Sequence, residues 1–240
     1  MTFPLRRFAL LWAGLAFVAL TAPVPALTAE TKPAGVPVAT VEEPLGERDV
    51  DAAAWAKVPA TEIELTTAPS IHPAIQGEAV TTRVTVQAAR SGKDLLFRLR
   101  WKDDGADAAR GPGRFVDGAA VQFASDGDTR TNILMGGEGR HVDVWHWNAT
   151  TNGGANLLAN GTGTLTPNPA ATVKASGRYA KGQWTVVIRR ELAPAGTDAV
   201  TFGKGGKGTV YPVAFAIWNG RNGERDGFKA VTVEWQELRF

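Results

Sequence analysis

The stretch Thr-Thr-Arg-Val-Thr-Val-Gln-Ala (residues 81–88) decides the fold, together with the turn Ser91-Gly92-Lys93-Asp94 and the run Leu95–Trp101 behind it. Apolar and polar residues alternate across residues 81–88, which is the period of a half-buried strand. The glycine-containing turn separates this segment from a second apolar run. Two strand-like segments joined by a short turn predict an antiparallel β-hairpin.

The same pattern continues along the chain in both directions. Short apolar segments alternate with Gly, Asn and Asp clusters, and no convincing long amphipathic helix is seen. Many short strands with turn signals between them predict an all-β, antiparallel β-sandwich, with the strongly apolar Val210–Trp218 near its centre. The other predicted strands are Glu62–Leu65, Ala119–Phe123, His141–Trp147, Val173–Arg178, Gln183–Arg189 and Ala230–Leu238.

Long glycine-rich loops interrupt the predicted strands. Long irregular loops in a compact domain are usually functional or disordered. Because a sandwich gathers its loops at its ends, we expect a ligand site at one end. These loops are Gly105–Gly118, Gly136–Arg140, Asn152–Gly163, Gly203–Gly208 and Asn219–Gly227.

The first residues have the order of a secretory signal peptide. Two arginines precede the uncharged apolar run Phe8–Leu20, and prolines and small residues follow. Residues 1–29 are therefore predicted to be a leader, cleaved after Ala26 or Ala29. Residues 30–48 are rich in Pro, Ala, Thr and Val and predict an extended linker or N-terminal arm. Residues 49–240 are predicted to form one β-sandwich domain.

Charge and cysteine content exclude several functions. Removing the two arginines of the leader leaves 24 basic and 24 acidic residues, so the predicted mature chain has no net charge. No basic patch indicates nucleic-acid binding, and no polybasic tail indicates a membrane surface. The chain has no cysteine, so disulfides, thiolate metal sites and covalent haem attachment through Cys-x-x-Cys-His are excluded.

Met135 is the only methionine outside the leader, and two glycines follow it directly. A thioether is a soft ligand for iron or copper, so Met135 is the first candidate for a redox site. His141 and His146 lie five residues apart on one predicted strand, which directs their side chains to opposite faces. They are not expected to share a metal, although either could be a single haem ligand.

Several stretches together carry a family resemblance. The opening segments and the hairpin resemble carbohydrate-binding-module-9-like sandwiches. The more specific segments lie later, at Met135–Gly137 leading to Val142–Trp147, and from Val213–Gly220 through Glu224–Val231. They resemble the haem b-binding gamma subunits of the ethylbenzene dehydrogenase, dimethylsulfide dehydrogenase, selenate reductase and chlorate reductase group. The supporting segments are Asp51–Trp55, Pro59–Leu65, Val84–Asp104 and Asp117–Phe123.

The resemblance implies a non-covalent haem b at one end of the sandwich, with its iron held by a Met and a Lys. The Met falls on Met135 and the Lys most naturally on Lys229, with Lys204, Lys207 or a histidine as the alternatives for the second ligand. A lysine must bind iron as the neutral amine, which burial favours. With both axial positions filled by protein, the iron is suited to electron transfer.

The function implied is that of a non-catalytic electron-transfer subunit of a periplasmic molybdopterin oxidoreductase. A molybdopterin subunit and an iron–sulfur subunit would be its partners, and a c-type cytochrome its external electron partner. Two alternatives remain open. One is a carbohydrate-binding module that uses tryptophan platforms, and the other is a stand-alone periplasmic haem b electron carrier.

Overall fold

A computed structural model describes residues 34–70, 73, 75, 77–169, 171–195, 199–203 and 208–240. The predicted leader and the alternative ligands Lys204 and Lys207 lie outside the described residues. Within the described ranges, no helix is long and apolar enough to cross a membrane.

The described residues form fourteen strands: β1 Gly35–Thr40, β2 Ala60–Glu64, β3 Thr66–Thr67, β4 Arg83–Ser91, β5 Asp94–Lys102, β6 Gly118–Ala124, β7 Val142–Asn148, β8 Gly153–Ala159, β9 Thr166–Pro167, β10 Lys174–Ala180, β11 Gln183–Glu191, β12 Val210–Trp218, β13 Ala230–Val231 and β14 Gln236–Arg239.

The strands form two layers, which confirms the predicted β-sandwich. The first sheet has the order β10-β11-β5-β4, and β2 pairs along the far edge of β4. Its centre is the predicted hairpin, in which β4 and β5 pair antiparallel from Thr85 opposite Arg100 to Ser91 opposite Asp94. The second sheet has the order β14-β12-β6-β7-β8-β9, and β13 links β12 to β3. Strand β12 lies inside this sheet, as its apolar sequence predicts.

Aromatic rings fill the space between the two sheets. Phe97 of the first sheet contacts Phe123, Trp145 and Phe215 of the second sheet, with ring centroids 5.8, 5.9 and 6.3 Å apart. All four side chains are essentially fully buried. Because successive strand residues point to opposite faces, the residues that alternate with these rings face outwards.

Strand β1 lies in the segment that was predicted to be a linker or N-terminal arm. The sequence placed residues 30–48 in a linker or arm, but Gly35–Thr40 is a strand that joins the two sheets. Gly35–Pro37 pairs parallel with β14, and Val38–Thr40 pairs parallel with β4. The Val36 side chain is fully buried in the core. This short strand is stabilised by its pairing with distant strands, so residues 35–40 alone do not strongly indicate a strand.

The last predicted strand is interrupted. Ala230–Leu238 was expected to be continuous, whereas β13 and β14 are separated at Thr232–Trp235. Both the backbone amide and the side-chain hydroxyl of Thr232 bond to Phe215, the hydroxyl accepting from the Phe215 amide at 3.1 Å. Trp235 then turns to donate its indole N–H to the Thr131 carbonyl at 2.9 Å. Trp235, which lies in this interruption, thus anchors the loop that carries Met135.

Candidate functional site

The outer face of the second sheet carries its own apolar cluster, separate from the core. Small side chains dominate its centre, where Ala120 and Ala214 are almost fully buried and Ala216 is half-buried. The cluster is completed by Ala124, Val142, Val144, Ala159 and Trp235, and the partly buried Ile133, Met135, Leu157, Ala216 and Trp218 pack against it. The result is a low, apolar surface bordered by larger side chains.

The Met135 loop is fixed to this surface at three points. The Gln122 side chain donates to the Ile133 carbonyl at 2.8 Å. The Met135 carbonyl accepts from the Gly161 amide at 2.7 Å, which ties the loop to the β8–β9 connection. Trp235 holds the preceding segment, as described above. The thioether is therefore presented by a well-supported loop rather than a free one.

Met135 has an unusual backbone conformation, with φ at 72°. A left-handed conformation costs a residue with a side chain about 1–2 kcal/mol. The next residue, Gly136, also has positive φ, and a Cβ there would lie 2.6 Å from the Arg140 carbonyl oxygen. Strained backbone conformations of this kind persist where the surrounding structure holds them in place, and they are often found at functional sites.

Lys229 reaches the same outer surface from the β12–β13 connection. Its amine lies 5.0 Å from the centre of the Trp218 ring. It donates to the Asp226 carbonyl at 3.1 Å, and this oxygen also accepts from the Trp218 indole N–H at 3.1 Å. Asp226 itself has positive φ, at 50°. The tight turn therefore fixes the amine and the ring relative to each other.

The Lys229 amine is desolvated without a carboxylate partner among the described residues. Burial lowers its pKa from 10.5 to about 8, against a small opposing effect of Asp226. A lowered pKa brings the neutral, ligating form of the amine within reach of physiological pH.

His146 lies beside Trp218 on the same face, with ring centroids 5.5 Å apart. Burial lowers the pKa of His146 to about 4, with further contributions from the cations Arg110 and Lys229. The imidazole is therefore neutral at pH 7 and adds no charge to the surface. His141, by contrast, lies at the start of β7, where its carbonyl accepts from the Ser125 amide at 3.1 Å.

Met135 and Trp218 pack against one apolar cluster, and Lys229 lies over Trp218. The two sequence-predicted residues therefore border the same surface. They reach it from the β6–β7 and β12–β13 connections, and the surface itself lies on the outer face of the second sheet. Alternation along the strands predicts two faces, but it does not reveal which loops fold over the outer one.

Sequence reasoning missed several residues that build this site. The sequence did not distinguish Trp218 from the tryptophans that pack in the core, although it faces outwards. Glu224 is buried and accepts from the amides of Val80 and Asn219, each at 3.0 Å. It holds the base of the Lys229 loop. The position of Trp218 one residue after inward-facing Ile217 was the signal that could have identified it.

Comparison with known proteins identifies relatives over most of the chain. The family model described as ethylbenzene dehydrogenase matches residues 52–169 and 163–230. The gamma subunit of chlorate reductase from Ideonella dechloratans is 40% identical over 79% of this chain and 78% of its own length. The gamma subunit of dimethylsulfide dehydrogenase from Rhodovulum sulfidophilum is 33% identical over 94% of this chain and 92% of its own.

A third relative is a candidate respiratory nitrate reductase heme subunit from Haloferax mediterranei, 36% identical over 93% of this chain and 79% of its own length. Among solved structures, a family 9 carbohydrate-binding module from Caldicellulosiruptor kristjanssonii in complex with glucose is similar at a TM-score of 0.46. It is 10% identical and covers 85% of this chain and 94% of its own, a likeness too distant to bear on ligands. From the family model and the three relatives, the chain belongs to the ethylbenzene dehydrogenase family, together with the gamma subunits of chlorate reductase and dimethylsulfide dehydrogenase.

Proposed function

We propose that this chain binds a non-covalent haem b on the outer face of its second sheet, with Met135 and Lys229 as axial ligands. The observation that carries the proposal is the Lys229 amine, which is desolvated, lacks a carboxylate partner among the described residues and borders the apolar surface that Met135 contacts. A partly buried ammonium that has no carboxylate partner is costly, so the position of Lys229 calls for an explanation. Coordination of iron by the neutral amine supplies that reason.

The residues present fit a haem in three respects. The low surface of alanines leaves room for a flat group, and Gly118 extends it, since a Cβ there would lie 3.4 Å from the Trp218 ring. The thioether and the neutral amine are both suitable iron ligands. Arg110 is exposed and acts on His146 from the rim, which suits the negative charge of haem propionates.

When bound, the haem would supply one-electron redox chemistry, and two protein ligands would leave no open iron position for a substrate. The chain's own residues then have binding and tuning roles. Met135 and Lys229 would hold the iron, the apolar face would exclude water, and Trp218 with the Asp226 carbonyl orients the amine. We therefore propose a non-catalytic electron-transfer subunit.

The proposed partners follow from the relatives. Two of them are named as gamma subunits of a reductase and a dehydrogenase, and a third as a heme subunit. We propose that this chain assembles with a molybdopterin catalytic subunit and an iron–sulfur subunit, and exchanges electrons with a c-type cytochrome. The predicted leader, residues 1–29, would export it to the periplasm.

The tryptophan arrangement does not favour the carbohydrate-binding alternative. Sugar-binding platforms need exposed rings, yet Trp55, Trp101, Trp145, Trp147, Trp184 and Trp235 are all buried. Trp218 alone among the described tryptophans is half-exposed, and Lys229 covers it.

Reconstitution with haem tests the proposal. Wild type is expected to take up haem and give a low-spin, six-coordinate absorption spectrum. Met135→Ala and Lys229→Ala should each lose this spectrum and weaken haem binding by at least about tenfold. Loss of an iron ligand should weaken haem binding at least as much as loss of a residue that supports a ligand. Leu134→Ala, next to Met135 but exposed, and Lys93→Ala, exposed and paired with Glu191, are the matched controls and should behave as wild type.

The outcomes separate the parts of the proposal. A wild-type chain that stays colourless with haem supplied would contradict haem binding itself. A low-spin spectrum that survives Lys229→Ala would transfer the second ligand to Lys204, Lys207 or a histidine. Co-purification with molybdopterin and iron–sulfur subunits would distinguish the complex from a stand-alone carrier.

A further inference from the structure

Three aspartates converge where β5 ends and β6 begins, away from the Met135 loop. Asp103 follows β5, Asp117 precedes β6, and Asp107 lies in the loop between them. One carboxylate oxygen of each lies within 4.8 Å of those of the other two. Asp117 is fully buried, Asp103 is 4% exposed, and Asp107 is half-buried.

The hydrogen bonds around these carboxylates leave one oxygen unused. The Asp117 carboxylate accepts three hydrogen bonds, from the amides of Gly220 at 2.8 Å and Asp107 at 2.7 Å and from the Trp184 indole N–H at 3.0 Å. Asp103 accepts from the Gly105 amide through Oδ1 at 3.1 Å. Its Oδ2 is buried and accepts no hydrogen bond from the described residues.

The missing partner is not supplied by the neighbouring indole. The Trp101 N–H lies near enough to the Asp103 carboxyl to lower its pKa, but neither Trp101 Nε1 nor Asp103 Oδ2 has a partner in good hydrogen-bonding geometry. A buried carboxylate oxygen without a donor is energetically costly. Such a group in a native fold calls for an unseen ion or water.

The charges also require compensation. Among the described residues, the three carboxylates form one salt bridge, to Arg221, whose Nε lies 3.2 Å from Asp107 Oδ2 and whose side chain is largely exposed. The cluster therefore has an excess of two negative charges when all three acids are ionised. A divalent cation matches this excess.

We propose that Asp103, Asp107 and Asp117 bind a divalent cation, and that this cation is calcium. All three ligands are oxygen donors on an irregular loop, which suits the flexible, high coordination of Ca²⁺. Zinc is disfavoured because it prefers nitrogen and sulfur ligands in structural sites. Magnesium is disfavoured because it usually keeps several waters and takes only one or two carboxylates.

The site would fasten the loop at residues 103–117 to the turn Gly220–Asn222. Asp117 already bonds the Gly220 amide, and Gly220 packs against the Phe115 backbone so closely that a Cβ would clash with it. The same connection continues to Asp226 and Lys229. Calcium would therefore stabilise the base of the Lys229 loop, whether or not haem binds there.

Calcium titration of the full chain tests the site. After treatment with a chelator, wild type is expected to bind Ca²⁺ by isothermal titration calorimetry with CaCl₂ up to about 10 mM, a range that includes the weakest protein sites. Its Tm should rise with CaCl₂ and fall with EGTA. Asp103→Asn keeps the side-chain size, removes one charge and should weaken Ca²⁺ binding by at least about tenfold.

Asp128→Asn is the matched control, because Asp128 forms an exposed ion pair with Arg130 elsewhere in the chain. It should bind Ca²⁺ as wild type does. Absence of calorimetric Ca²⁺ binding to wild type would overturn the proposal. This measurement does not depend on whether Asp103→Asn folds. Equal Ca²⁺ binding by Asp103→Asn and wild type would also overturn it, and equal stabilisation by MgCl₂ would overturn the assignment to calcium.

Discussion

The two faces of the second sheet are both apolar but are built in opposite ways. The inner face presents Phe123, Trp145 and Phe215, whose rings are fully buried against the first sheet. The outer face presents alanines, which leave a low surface that Met135 and Trp218 border while partly exposed. Large side chains complete a core by themselves, whereas small ones leave volume for another group.

This difference shows how one set of strands can contribute both to stability and to binding. The inner face contains its own compensated charge, since Arg190 and Asp143 pair across the sandwich with both side chains fully buried. The outer face contains the uncompensated Lys229 amine and the strained Met135 backbone. The uncompensated charge and the strained backbone on the outer face indicate where a ligand belongs.

The largest effect is expected from breaking the inner face. Asp143→Ala leaves the Arg190 guanidinium buried without its carboxylate, which should lower the free energy of unfolding by about 3–5 kcal/mol. Urea denaturation measures this loss. The control Asp128→Ala breaks an ion pair at the surface and should lower the free energy of unfolding far less. Similar losses in both variants would mean that the inner pair is not the one that carries stability.

Removing the unpaired charge from the outer face should have the opposite sign. In haem-free protein at pH 7, Lys229→Met should raise the free energy of unfolding by about 2 kcal/mol, because the ammonium no longer has to be desolvated. The folded pKa of Lys229, about 8, lies below its ordinary value of 10.5. Between these pH values the unfolded wild type therefore binds more protons, and wild-type stability rises with pH.

The advantage of Lys229→Met should accordingly shrink from pH 8 and disappear near pH 10.5. Thermal or urea unfolding across this window checks the sign. Lys93→Met is the control, because the pKa of exposed Lys93 is raised by its hydrogen bond to Glu191 and its removal should bring no gain. A pH-independent difference between wild type and Lys229→Met would refute the desolvation argument.

A smaller gain is expected from relieving the Met135 backbone. Met135→Gly should stabilise haem-free protein by about 1 kcal/mol, since glycine adopts positive φ without the steric cost. The same change should abolish low-spin haem binding. Leu134→Gly is the matched control, because Leu134 has no positive φ and should lose about 0.5–1 kcal/mol. Destabilisation by both variants would show that the Met135 conformation carries no strain.

The smallest effect on stability should come from filling the outer face. Ala216→Phe places a ring on the half-buried surface and should change the free energy of unfolding by only about 0.5 kcal/mol. It should nevertheless block haem uptake, measured by the absorbance of reconstituted protein. Ala180→Phe makes the same change on the first sheet and should leave haem uptake intact. Full uptake by Ala216→Phe would place the haem elsewhere.

The strands were predictable because their signals are local. Alternation at residues 81–88 and the turn at Gly92 suffice to define the hairpin β4–β5. The face that a side chain occupies is also fixed by alternation, but both faces of β12 are apolar, so the sequence does not say which is the interior. Trp218 was therefore not distinguished from the core tryptophans.

Other features depend on contacts between distant segments. The Met135 and Lys229 loops were identified through family resemblance, yet their positions at the outer face depend on anchors such as Trp235 and Glu224, which bond to residues far away in the chain. The acidic cluster draws Asp103, Asp107 and Asp117 together from two strand ends and a loop. Composition alone shows only that loops are rich in aspartate.

The parallel strand β1 has a consequence for folding kinetics. Strand β1 pairs with both sheets, and it joins Gly35–Pro37 to Glu237–Arg239 at the other extreme of the sequence. Contacts of such high sequence separation form late, and β-rich domains that depend on them fold in about milliseconds to seconds. Until β14 is available, β1 can satisfy only its pairing with β4. We therefore expect formation of the β1–β14 junction to be the rate-limiting step in refolding.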